Sequence, residues 1–134
     1  MSGILVDSSV IIDYLKDEID GKALKILENA LWFVSIITHY EVCRHFYKIG
    51  RVKDLEIVRK RLEAFRTVPL TPDVCASAAR ISMLHNLSAG DSIVYASAKA
   101  SGLELLTFDS DLKGKEGVLF MKRKGLKLQG RASP

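Results

Sequence analysis

Ile4-Leu5-Val6-Asp7-Ser8-Ser9-Val10-Ile11-Ile12-Asp13-Tyr14-Leu15 is a strand running into a helix, with a carboxylate at the junction. The uninterrupted Ile4-Leu5-Val6 reads as a buried strand. Val10, Ile11, Tyr14 and Leu15 then recur at helical spacing over residues 8–16. The alternation continues downstream. Ala23, Leu24 and Leu27 share a face of a helix over 21–30, and the β-branched and aromatic run over 31–36 predicts a second strand. A helix over 38–49 follows, with Gly50 as its C-terminal stop. Residues 52–66 form a charged amphipathic helix with Leu55, Val58, Leu62 and Phe65 on one side. Residues 68–72 are extended. Pro72 suits the first turn of a helix over 73–85 whose apolar stripe is Val74, Ala78, Ile81 and Leu84. A last helix over 89–101 ends at Gly102, and 103–107 and 118–121 are the remaining strands. Strands alternating with helices require parallel pairing through crossovers. The predicted fold is therefore α/β, a three-layer α/β/α sandwich around a parallel sheet of four to five strands.

At 134 residues, 48% of them hydrophobic, the chain makes one ordered domain with a core of its own. Residues 1–121 carry the domain, and 122–134 form a basic, Gly- and Ser-containing strand or tail. No apolar run approaches the ~18–20 residues of a membrane span. Met1-Ser2-Gly3 leads straight into the first strand without a basic, cleavable leader. Cys43 and Cys75 both lie in amphipathic helical patterns and read as buried free thiols in a reducing cytoplasm, not as a disulfide or a zinc site. The net charge is +4. Committing four of the 16 acidic residues to one cation would leave the 20 basic ones well in excess, which suits a polyanion held by its phosphates.

Asp7, Glu41 and Asp109 are each the first acid after an apolar strand, and Asp91 sits at a helix start. In an open α/β sheet such residues converge beyond the carboxyl ends of the strands. Several carboxylates in one cleft repel one another unless a hard cation lies between them. Each acid also has a purely structural reading. Thr38-x-x-Glu41 and Ser88-x-x-Asp91 fit capping boxes, and Asp7 and Asp109 fit N-caps. The two roles are compatible, since a carboxylate in a first turn can do both.

The flanking residues extend the match. Ile4-Leu5-Val6-Asp7-Ser8-Ser9-Val10-Ile11-Ile12-Asp13-Tyr14-Leu15, Ser35-Ile36-Ile37-Thr38-His39-Tyr40-Glu41-Val42, and Gly90-Asp91-Ser92 through Thr107-Phe108-Asp109-Ser110-Asp111-Leu112 occur in that order. The chain thereby resembles the PIN domain family, in particular the small VapC-type ribonuclease toxins, over residues 3–121. The resemblance implies a PIN-like fold and a metal-dependent endoribonuclease, the toxin of a toxin–antitoxin pair. It implies Asp7, Glu41 and Asp91 as the core metal-binding acids, Asp109 as the fourth, and Ser9 and Thr107 as polar neighbours. Asp111 competes for the fourth place but reads as a cap of the turn. Leu112 stands where the family carries an aromatic residue.

Magnesium or manganese is the cofactor so implied, because a hard ion takes oxygen ligands and keeps positions open for water and phosphate. The implied partners are an RNA substrate, a small antitoxin and a second copy of the chain, with no membrane. Arg44 and Lys48 follow Glu41 at i+3 and i+7 and are candidate RNA contacts. Arg59-Lys60-Arg61 and Lys122-Arg123-Lys124 are weaker ones. His39, His45 and His85 lack ligand spacing. A haloacid-dehalogenase-type phosphatase would need an acid at position 9, where Ser9 stands. A small-molecule α/β binder would need a Gly-rich loop after the first strand, and none follows it. The readings left open are a PIN-like scaffold that binds RNA or protein without cleaving, and an RNA-processing PIN nuclease that is not a toxin.

Overall fold

A computed structural model of the chain describes residues 2–123. Five strands form one parallel sheet in the order β3-β2-β1-β4-β5. They are β1 (Gly3–Val6), β2 (Leu31–Ser35), β3 (Arg66–Val68), β4 (Glu104–Thr107) and β5 (Val118–Phe120). The helices are α1 (Ser8–Leu15), α2 (Gly21–Glu28), α3 (Ile36–Lys48), α4 (Leu55–Glu63), α5 (Pro72–His85) and α6 (Ala89–Ser101). The three-layer α/β sandwich is thus as expected, at the upper strand number.

Alternation along β1 shows why both sheet faces are covered. Ile4 and Val6 join Val10, Ile11, Leu27, Val42, Phe46 and Leu62 in a core under α1 to α4. Leu5 points the other way, into a core with Val94, Tyr95, Ala98, Leu105 and Leu112 under α6. Leu112 is fully buried there. From β1 the chain winds outward through β2 and β3, then returns to the other side of β1 as β4. The switch in winding direction therefore lies between β1 and β4, where an open α/β sheet has its binding crevice.

Several expected boundaries move, each for a local reason. β2 ends at Ser35 and α3 starts at Ile36, because the Ser35 hydroxyl accepts the Ile37 N–H at 3.2 Å and caps the helix. Thr38 is consequently buried inside the first turn, and the capping box expected of Thr38 and Glu41 is not formed. Residues 52–66 are not one helix. A 3-10 turn at Val52–Asp54 precedes α4, and Arg66 already pairs with Phe33 in β3. That strand stops before Pro69, which has no N–H to donate.

Two burial expectations fail. Leu84 is 67% exposed, since α5 packs on α6 through Val74, Ala78 and Ile81 and leaves Leu84 lining a shallow surface groove. Cys75 is exposed too, while Cys43 is half-buried against the first core; both are free thiols. Among the described residues no helix is long and apolar enough to cross a membrane. Of the basic segment expected over 122–134, residues 124–134, Lys124 included, lie outside the described residues. Arg123 spans back to α1, its Nε 3.0 Å from buried Asp13 and its guanidinium over Phe108.

Candidate metal centre

The end of β1 and the end of β4 are tied directly. The Asp7 N–H donates to the Leu106 carbonyl at 2.9 Å, and the Thr107 hydroxyl donates to Asp7 Oδ2 at 2.6 Å. Ser9 donates to the same oxygen at 3.0 Å. Both hydroxyls are held in turn: Ser9 Oγ accepts the Phe108 N–H, and Thr107 Oγ1 accepts the Asp109 N–H. Asp7 occupies the N-cap position of α1, yet its side chain makes no capping bond. Its Oδ2 is fixed by two hydroxyls, and Oδ1 carries neither of them. The carboxylate is 4% exposed and is held by hydroxyls of the β1–α1 and β4 ends, not by the helix N-terminus.

Asp91 arrives from the opposite side. Ser88 caps α6 by accepting the Asp91 N–H at 3.2 Å, so one half of the expected capping box forms. Asp109 caps the 3-10 turn Ser110–Leu112 by accepting the Asp111 N–H at 2.9 Å. Asp111 therefore does not cap that turn, contrary to the sequence reading. It is exposed and belongs to the acidic group instead: one carboxylate oxygen from each of Asp91, Asp109 and Asp111 lies within 4.8 Å of the others. Glu41, in the second turn of α3, is half-buried beside the backbone of Gly90 and lines one groove with Ser8.

The acids act on one another. Burial raises the Asp7 pKa, opposed by the Thr107 and Ser9 hydroxyls and reinforced by the charge of Asp109. Burial also raises that of Glu41, with the charges of Asp7 and Asp109 adding to it. Asp91 is pushed up to about 7 by burial, then by contact with the Asp109 carboxyl and by the charges of Asp109 and Asp7. Asp7, Glu41, Asp91 and Asp109 thus share one electrostatic pit at the switch point, with Asp111 on its rim. Its donors are all oxygen, the set preferred by magnesium and manganese and not the N/S set of structural zinc.

The histidines do not group as metal ligands: His39 pairs with Thr67, His45 with Lys16 at the groove that Glu41 lines, and His85 with Lys115. Arg44 and Lys48 are exposed on α3 and line the same groove as Glu41. Arg59 and Lys60 are exposed on α4, away from that lining.

Sequence reasoning gave no role to Ser8 or Gly90. A Cβ on Gly90 would overlap the Glu41 carboxylate and nothing else within ordinary contact distance. A glycine inside a helix, just before an acid, was the available signal, since glycine costs about 0.5–1 kcal/mol there relative to alanine. Gly90→Ala should therefore leave the melting temperature unchanged or raised. By displacing Glu41 it should weaken manganese binding about tenfold, an effect of about 1.4 kcal/mol. Calorimetry on the single mutant and in a Glu41→Ala background is the check. A further drop in that background would mean that Gly90 does not act through Glu41.

Residues 4–117 match the family model of the PIN domain. No curated protein matches the chain by sequence. Among solved structures, a toxin–antitoxin complex from Klebsiella pneumoniae is 25% identical with a TM-score of 0.73, covering 87% of this chain and 95% of its own. FitAcB from Neisseria gonorrhoeae is also 25% identical, with a TM-score of 0.66 and coverages of 81% and 88%. VapC20 of Mycobacterium tuberculosis, described as a sarcin–ricin-loop-cleaving toxin, shares the fold at a TM-score of 0.71 and 16% identity, with coverages of 90% and 99%.

Proposed function

The chain belongs to the PIN domain family, and on that premise we propose that it is a magnesium- or manganese-dependent endoribonuclease acting as the cytoplasmic toxin of a toxin–antitoxin pair. PIN domains are nucleases, and structural neighbours of this chain are toxin–antitoxin proteins. The observation that carries the reading is the meeting of Asp7, Glu41, Asp91 and Asp109 in one pit, where burial, with the charge of Asp109, raises the pKa of Asp7, and burial, with the charges of Asp7 and Asp109, raises those of Glu41 and Asp91. Acids so placed are stable together when a divalent cation shares them. A bound cation polarises the phosphoryl oxygens and lowers the pKa of water at its open positions.

The chain's own residues supply the rest. Ser9 and Thr107 orient Asp7. Ser88 steadies Asp91 by capping α6. Asp109 and Asp111 complete the acidic wall, with Asp109 as the fourth ligand and Asp111 at the solvent edge. Arg44 and Lys48 hold RNA phosphates along α3.

The cognate antitoxin is a small protein, and the active chain is a homodimer. Expression of the chain alone should arrest growth, and coexpression of the antitoxin should relieve the arrest. Harmless accumulation of a protein that cleaves RNA in vitro would instead favour an RNA-processing nuclease that is not a toxin. Arrest that survives loss of the acids would favour a binding scaffold.

A further inference from the structure

Glu41 lines a groove of about 600 Å³ between α1, α3 and the start of α6, and Tyr40 forms part of its wall. Tyr40 immediately precedes Glu41 and is 62% exposed. Most aromatic rings here are engaged: Tyr14 packs on Trp32, Trp32 on Phe65, and Phe33, Phe46, Tyr95, Phe108 and Phe120 each face a cation. Among the described residues Tyr40 has no such partner, although Arg44 follows it by one helical turn and Lys48 by two. One edge of α3 therefore presents a bare ring, two cations and the Glu41 carboxylate in a single groove. His45 lines the same groove, its pKa lowered first by burial and then by the charges of Lys16, Lys48, Arg123 and Arg51.

Interleaved cations and an unpaired ring match single-stranded nucleic acid. Cations follow the phosphates, and a ring accepts any base by stacking, which a duplex, with its bases already stacked, does not offer. We propose that Tyr40 is the stacking platform for a base next to the scissile phosphate. The proposal rests on the nuclease reading above. A stacked base beside Glu41 fixes the direction of the strand across the acids, while Arg44 and Lys48 hold its neighbouring phosphates without regard to sequence. Tyr40 is thus a positioning residue for substrate.

The test uses the full chain and a short single-stranded RNA of mixed sequence carrying 2-aminopurine, with binding measured in the Asp7→Asn background and cleavage in the parent. Tyr40→Ala should weaken binding about tenfold, the scale of one base stack. It should raise KM more than it lowers kcat, and it should abolish the quenching of 2-aminopurine that stacking produces. Tyr40→Phe and Tyr40→Trp should restore all three. The salt dependence of binding should be unchanged in Tyr40→Ala and shallower in Arg44→Ala, because only the latter loses a phosphate contact.

Unaltered affinity and quenching in Tyr40→Ala would overturn the platform, as would an equal loss in Tyr40→Phe, which would point to the hydroxyl. Loss of antitoxin binding with RNA binding intact would assign the ring to a protein partner and overturn it equally. These failures leave parental cleavage untouched. Failure of the nuclease reading shows instead as a parent chain that binds RNA and does not cut it.

Discussion

Asp7→Asn is expected to reduce metal-dependent RNA cleavage by about a thousandfold or more while the protein remains folded. Asn matches Asp in shape, and its carbonyl oxygen can still accept from Ser9 and Thr107, so the buried contacts of position 7 survive. The charge is lost, and with it a ligand held 4% exposed at the junction of β1 and α1. Electrostatic stabilisation by a cation at a phosphoryl group is worth several kcal/mol, and each 1.36 kcal/mol is tenfold in rate. Asp91→Asn should act alike, because Asp91 supplies an oxygen to the tightest acidic group. Asp111→Asn should cost far less than Asp109→Asn. The Asp109 charge acts on Asp7, Glu41 and Asp91, whereas exposed Asp111 figures in none of these shifts. The measurement is cleavage of one labelled RNA by proteins purified in parallel, with magnesium or manganese and with chelator. If Asp7→Asn and Asp91→Asn both cut like the parent, the activity belongs to a contaminant or to another site.

These acids were legible in the sequence because position relative to a strand is a local property. Ile4-Leu5-Val6 needs no partner to be read as buried, and Asp7 follows it whatever the sheet order. Ser9 and Thr107 were also legible as polar neighbours, although only the pairing of β1 with β4 brings their hydroxyls onto one carboxylate oxygen. What depends on distant chain could not be read. Gly90 and Glu41 are neighbours only because the start of α6 meets α3, in a groove that Ser8 at the start of α1 also lines.

Competition between two good caps was a second limit. Ser35 and Thr38 both suit a helix start, and the choice fell to Ser35. Asp109 and Asp111 posed the same ambiguity, and the turn took Asp109. Leu84 fits its helical stripe, but α5 meets its neighbour only along Val74, Ala78 and Ile81. Periodicity identifies a face without saying how far along the helix that face is covered.

The metal-free protein should lose stability as pH rises from about 4 to about 8, and a divalent cation should reverse the loss. Asp7, Glu41 and Asp91 all have folded-state pKa values raised above their ordinary 3.8, 4.5 and 3.8. A group of this kind contributes stability that is fully present below its unfolded pKa and is lost as pH rises through its folded pKa, since the folded state binds the extra protons. For Asp91 the window runs from 3.8 to about 7. A shift of that size corresponds to about 4 kcal/mol, which solvent and ions around a half-buried group reduce to about 2 kcal/mol.

Other groups titrate in the same range. Asp13, raised by burial against the pull of Arg123 and Lys16, adds to the slope. His39 and His45, lowered by burial, oppose it near their ordinary 6.5. The difference between the parent and Asp91→Asn isolates the pit, because the other groups are common to both. Urea denaturation in chelator across this range should therefore show the parent falling away from Asp91→Asn as pH rises. Manganese at about a hundred times its dissociation constant should return about 2.7 kcal/mol to the parent and much less to the mutant. Parallel pH profiles for the two proteins, or equal stabilisation of both by manganese, would mean that Asp91 neither shares the repulsion of the pit nor holds the cation.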